Sequence, residues 1–174
     1  MKRIKLFENF KEEWQTKIAA LEKDAQKDAK SQIEQLLYDL TDDFDSHTGL
    51  RELSFLTFSI SFKFKYNEIH NFLDKLKYIC PSVKDAMGLK LKLNKTVAEW
   101  KYSSGDFSSD KCEIGLFGGG VFLSDFLRGE IEKGSKRYNE YLELYLPGLI
   151  KSEARRAFDI NIEDVTLTIE LLIS

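Results

Sequence analysis

The sequence predicts an α+β fold in which a long N-terminal helix and further helices pack on one face of a largely antiparallel sheet of about four strands. Two segments that alternate strictly between apolar and polar residues support this class, and so does a long apolar stripe at helical spacing near the start of the chain. Strands that alternate in this way have one dry and one solvated face, which is typical of antiparallel sheets covered on one side.

The first alternating segment is residues 53–66, which we interpret as the central strand. From Leu56 to Tyr66 every even position is large and apolar, and from Thr57 to Lys65 every odd position is polar. Successive side chains of a strand point to opposite faces, whereas a helix would spread these aromatic residues around its whole circumference. The second segment, residues 164–174, shows the same alternation and predicts another strand.

The N-terminal stripe predicts a helix that is long for a domain of this size. A straight helix of the observed stripe length would extend about 57 Å, against a diameter of about 40 Å for a compact domain of this length. Either the helix lies across the sheet with a bent or frayed middle, or part of it projects as an arm used in assembly. The stripe consists of apolar or alanine residues at positions 7, 10, 14, 18, 21, 25, 29, 33, 36, 40 and 44.

The rest of the chain fits one domain, with an N-terminal helix over residues 1–45 and a body over 50–174. Asn67 is a candidate N-cap and Pro81 a candidate helix stop. The remaining predicted elements are a short turn of helix at 82–87 ended by Gly88, a strand at 89–93, a third strand or a continuation past a bulge at 97–102, a short strand at 112–117, helices at 121–133 and 135–146, and a further helix to 158.

Composition and charge indicate an ordinary soluble domain. The chain has 43% hydrophobic and 32% charged residues, a net charge of −3, and two cysteines that fit no metal or redox spacing. No apolar run follows the first residues as in a signal peptide, and the longest apolar run is about half of the roughly 20 residues that a membrane span needs. We therefore expect a cytoplasmic protein, or a virion protein if it is phage-encoded, with no membrane partner.

Lysines on two predicted strands form the first candidate partner-binding surface. Lys63, Lys65, Lys90 and Lys92 lie on polar strand faces, and they would make one basic stripe if the two strands were neighbours. A solvated face, or one neutralised by the acidic N-terminal helix, is the plainer interpretation. Nucleic-acid binding is the alternative, although stacking aromatics would be needed on the same face, and here they point to the other side.

A glycine-rich apolar stretch supplies the second candidate surface. Phe117, Val121 and Phe122 flank the glycines at positions 118–120, which do not form G-x-G-x-x-G. Close packing against the sheet, or an apolar loop at a subunit interface, accounts for this stretch. Residues 129–136 are similar to a P-loop whose last two residues are exchanged, so that lysine and hydroxyl are misplaced, and we do not expect nucleotide binding.

No motif nominates a catalytic or metal site. The acidic corner from Asp42 to His47 lacks the glycine and glutamate that a calcium loop requires, so a capped, solvated loop explains it better. His47 and His70 are the only histidines, and neither belongs to a hydrolase or metalloprotease signature. We therefore expect no enzymatic activity and no cofactor, and we identify no small-molecule substrate.

The expected function is structural. The first ten residues are similar to the starts of many small proteins of large tailed phages, but they carry no chemistry and identify no family. The long amphipathic helix, the glycine-rich apolar stretch and a tyrosine stripe at 138, 141 and 145 favour a non-enzymatic assembly protein. Such a protein would act through a protein partner or self-association, for example as a tailed-phage virion or neck-type component. A binder of nucleic acid or of nucleic-acid machinery is the alternative.

Overall fold

A computed structural model of the chain describes residues 2–101, 109–114, 125–127, 130–153 and 160–174, with side chains described from residue 14 onward except at positions 109 and 110. Five strands form one sheet in the order β1-β2-β5-β3-β4, and all neighbours pair antiparallel. The α+β class and the antiparallel sheet are confirmed, but the sheet has five strands rather than about four. The strands are β1 (Asp45–Ser54), β2 (Thr57–Lys65), β3 (Leu91–Lys101), β4 (Ser109–Glu113) and β5 (Thr166–Ile173).

The helices begin with α1, which is almost as long as the stripe predicts. It runs as one helix to Leu36 and is followed after a one-residue break by a short second helix. Near the C-terminal end of the described chain, two α-helical stretches are joined by a π-helical segment, Glu140–Tyr145. The α-helices are α1 (Lys2–Leu36), α2 (Tyr38–Asp43), α3 (Ile69–Met87), α4 (Lys136–Asn139) and α5 (Leu146–Glu153), with 3-10 turns at Tyr66–Glu68 and Ile162–Asp164.

The core lies between the helices and the aromatic face of β2. Phe72 of α3 packs its ring against Phe44, Phe62 and Phe64, with ring centroids between 4.5 and 5.7 Å away. The alternating side chains of β5 complete the same face, and each of its apolar odd positions is buried. The predicted dry face of the central strand is therefore confirmed.

The predicted strand 53–66 is in fact a hairpin. Leu53 and Ser54 end β1, Phe55 and Leu56 form a two-residue turn, and β2 begins at Thr57. Leu56 has a φ of 52°, a left-handed conformation that leucine rarely adopts and that the sequence pattern therefore does not suggest. Alternation that begins at Leu56 looks the same whether that residue starts a strand or ends a turn.

Several predicted boundaries change for local reasons. Pro81 lies inside α3 rather than at its end, because buried Ile79 and Val83 on either side of it keep the helix on the core. Asn67 lies within a 3-10 turn and is not the N-cap of α3. β3 is one strand from Leu91 to Lys101 with an irregularity between Leu93 and Lys95, so the second segment continues the first past a bulge, as one of the two sequence interpretations holds.

The region before α4 also differs from the prediction. The strand expected at 112–117 is β4, which begins at Ser109, before the predicted start, and ends at Glu113. The helix expected at 121–133 is seen as helix only at 125–127 among its described residues, and residues 130–135 are turns. Gly134 has a φ of 77°, and the Ser135 hydroxyl accepts a hydrogen bond from the Tyr138 N–H, so the chain turns there before α4 begins.

Candidate interaction surface

Between Trp14 and Ala25, α1 buries no side chain in the body of the protein. Side chains from Trp14 to Ala25 are all exposed, and the stripe becomes buried only from Ala29 onward, through Ile33 and Leu37. At 1.5 Å per residue, the segment from Lys2 to Ala25 extends about 36 Å. The half of α1 from Ala29 onward packs against the body, where α2 and α3 are its neighbours. The projecting arm stays our interpretation of the half before it.

The arm exposes large apolar side chains that usually lie in cores. Trp14 is 55% exposed, Ile18 46% and Leu21 69%. At about 100° per residue, these three side chains and Ala25 fall within about 60° of one another on the helix. We call Trp14, Ile18, Leu21 and Ala25 the arm surface. It continues toward the N-terminus the same stripe that α1 buries in the core.

The tip of the β1–β2 hairpin stands beside the arm and is also apolar. Leu53 is 56% exposed and Phe55 is 55% exposed. A groove of about 430 Å³ separates the tip from α1, and Ala19, Glu22 and Gln26 line its helical wall. By helix geometry this wall is centred roughly 120° around α1 from the arm surface, so the hairpin leaves the arm surface uncovered.

Gln26 fixes the hairpin to α1. Its Nε2 donates to the carbonyl oxygen of Ser54 at 3.1 Å, and its Oε1 accepts from the N–H of Leu56 at 2.6 Å. Nearby, Lys30 Nζ lies 3.6 Å from Glu52 Oε1. The two Gln26 hydrogen bonds give partners to backbone polar groups of a turn that contains neither glycine nor asparagine. They also set the position of the tip relative to the arm.

The lysines predicted as a partner-binding stripe are not on neighbouring strands. β5 lies between β2 and β3, and it contributes Glu170 to the solvated face. Lys63 Nζ lies 3.1 Å from Glu99 Oε2. Lys65 contacts the carbonyl oxygen of Asp164, while Lys90 and Lys92 are exposed. β5 thus separates Lys63 and Lys65 from Lys90 and Lys92, and an acidic partner balances Lys63.

The remaining predicted site residues separate into two groups. Phe117, Val121, Phe122 and the glycines between them lie outside the described residues. In the acidic corner, the side chains of Asp42, Asp43, Asp45 and His47 are exposed as expected, but they belong to the end of α2 and the start of β1 rather than to a loop. There the Lys75 ammonium donates a hydrogen bond to Asp43, and this contact lowers the pKa of that carboxyl. Within the part of the chain that the structure describes, no group of three or more His, Cys, Asp or Glu side chains could hold a metal ion.

The tyrosine stripe is partly a core feature. Tyr138 is buried, its hydroxyl lies 3.0 Å from Nδ1 of His70, and the Tyr66 hydroxyl donates to the Leu142 carbonyl. Burial raises the pKa of Tyr138 to about 12, and the nearby Asp74 carboxylate adds to the effect. A phenol with such a pKa stays protonated at neutral pH, so it serves as a hydrogen-bonding group that joins α4 to α3 rather than as a base.

The fold and the arm surface define this chain as an α+β protein with an antiparallel sheet and a long amphipathic N-terminal helix whose stripe is exposed between Trp14 and Ala25. Comparison with protein-family models, with curated proteins and with solved structures found no match. Among the described residues, no helix has both the length and the apolar character needed to cross a lipid bilayer.

Proposed function

We propose that this chain is a non-enzymatic structural or assembly protein that acts through protein–protein contacts made by the arm surface. One observation carries the proposal: Trp14, Ile18 and Leu21 lie on one side of a projecting helix and are each 46–69% exposed. Single exposed apolar residues are ordinary, but a contiguous apolar stripe marks an interaction site. The finer suggestion of a tailed-phage virion or neck-type component is supported by the first ten residues alone.

The shape of the molecule supports the same function. A helix that leaves the body is much more stable when another surface buries its apolar side, because helices in proteins gain most of their stability from tertiary packing. The body already buries the C-terminal part of the α1 stripe. The N-terminal part is thus built to be covered by a partner.

The test is the mass of the protein in solution as its concentration rises. Size-exclusion chromatography with light scattering should show the wild type associating, and Ile18→Glu/Leu21→Glu should remain monomeric because it places two carboxylates in the contact. Tyr78→Glu is the matched control, since Tyr78 is 77% exposed on α3 and should associate like the wild type. A wild-type chain that is strictly monomeric at high concentration would contradict the proposal.

A further inference from the structure

The arm surface has a pattern that is complementary to itself. We propose that its occupant is α1 of a second copy of this chain, paired antiparallel about a twofold axis that passes between Ala19 and Ala20. This inference rests on the function proposed above and names its partner. A twofold contact uses the same patch on both chains. If one residue of the first copy faces a second residue of the other copy, the reverse pairing must therefore also occur.

The apolar side chains fit this register. With the axis between Ala19 and Ala20, Trp14 of each copy lies opposite Ala25 of the other, and Ile18 lies opposite Leu21. The largest side chain of the surface therefore meets the smallest, and the two branched aliphatic side chains meet each other. Both pairings occur twice, once on each side of the axis, which gives four apolar layers that interdigitate as facing helices require.

The flanking charges fit the same register. Lys17 and Asp24 lie on one flank of the stripe, and Gln15 and Glu22 lie on the other. In an antiparallel pair related by a twofold axis, like flanks face each other. Lys17 of one copy therefore approaches Asp24 of the second, and Gln15 approaches Glu22. No like-charged pair is brought together among these four positions.

The position of the body leaves the arm surface accessible to a second helix. On α1, the groove beside the hairpin tip is lined by Ala19, Glu22, Lys23 and Gln26, and by none of the four residues of the arm surface. Of the flanking residues, Glu22 borders both this groove and the proposed contact. A helical pair of this length belongs to the class of small interfaces, below about 1,200 Å². We therefore expect a weak, concentration-dependent dimer rather than a permanent one.

Charge exchange at the flanking pair tests the register. We expect sedimentation equilibrium at low salt to give a dissociation constant about tenfold higher for Lys17→Glu or Asp24→Lys alone, because each creates two like-charge contacts in the dimer. The double variant Lys17→Glu/Asp24→Lys should return to within about threefold of the wild type. Lys27→Glu is the control on the opposite side of the helix, and circular dichroism checks that every variant keeps its helix.

Three results would overturn the inference. They are a monomeric wild type, a plateau mass above two chains, and single variants that associate like the wild type. If the charge variants leave association unchanged but Ile18→Glu/Leu21→Glu abolishes it, the antiparallel register is wrong and the proposed function stands. If neither set of variants changes association, both fail.

Discussion

Cys80 of α3 shows how burial controls a single group in this protein. Removal from water raises the pKa of its thiol from 9.0 to about 12. Because the folded chain holds this proton more tightly than the unfolded chain, the thiol contributes stability that is fully present below pH 9 and is lost as the pH rises toward 12. The protein should therefore become easier to unfold in that alkaline window.

The reactivity of Cys80 follows from the same shift. In a Cys112→Ser variant, where Cys80 is the remaining thiol, we expect alkylation at pH 8 to be roughly a thousandfold slower in the folded protein than in guanidinium, because only the thiolate reacts. Mass spectrometry over time measures the rate. Rapid alkylation of the folded variant at pH 8 would show that the thiol is not shielded as the structure indicates.

Single residues also show where the alternation of apolar and polar residues predicts side-chain burial correctly and where it does not. The apolar side of β2 was predictable from alternation alone, because burial of one sheet face imposes a period of two. The opposite side was expected to be solvated throughout, yet Ser59 and Ser61 are 3% and 8% exposed. These short side chains are covered because β2 has a neighbouring strand on each edge. The alternation pattern of one strand does not show which strands lie beside it.

At the scale of elements, the contact between α1 and the β1–β2 hairpin depends on Gln26. Gln26→Ala removes both hydrogen bonds to the turn, and we expect the free energy of unfolding to fall by about 1–2 kcal/mol. Gln32→Ala is the matched control, because Gln32 is an exposed glutamine of the same helix. Urea unfolding of the two variants measures the difference. Equal stabilities would mean that the hairpin is positioned by other contacts.

β1 is the element that the sequence could least reveal. None of its ten residues is buried, so no apolar face produces an alternating pattern. The turn that follows contains Phe55 and Leu56 rather than the glycine or asparagine that usually announces a two-residue hairpin. For the same reason, the exposed tip of that hairpin was predicted as part of a strand. The position of the hairpin tip beside the arm follows from the hydrogen bonds of Gln26, which the sequence pattern does not specify.

At the scale of the whole molecule, the residues of the arm surface could be predicted from the sequence, but the extent to which the body covers the α1 stripe could not. The stripe positions at 14, 18, 21 and 25 can be read from the sequence, since helical spacing gives them directly. Which half of the stripe the body covers depends on where α1 meets the sheet, a long-range contact that spacing cannot specify. The lysine stripe failed to form for a related reason, because the pairing of β5 between β2 and β3 is a property of topology.

The measurement that tests the central claim most directly is amide hydrogen exchange over residues 14–25 at increasing protein concentration. A projecting helix without a partner opens readily, whereas a paired one is protected. We predict that exchange in this segment slows as the chains associate, while exchange in β2 and β5 stays constant. Exchange over 14–25 that is independent of concentration, across a range in which the mass doubles, would contradict the account.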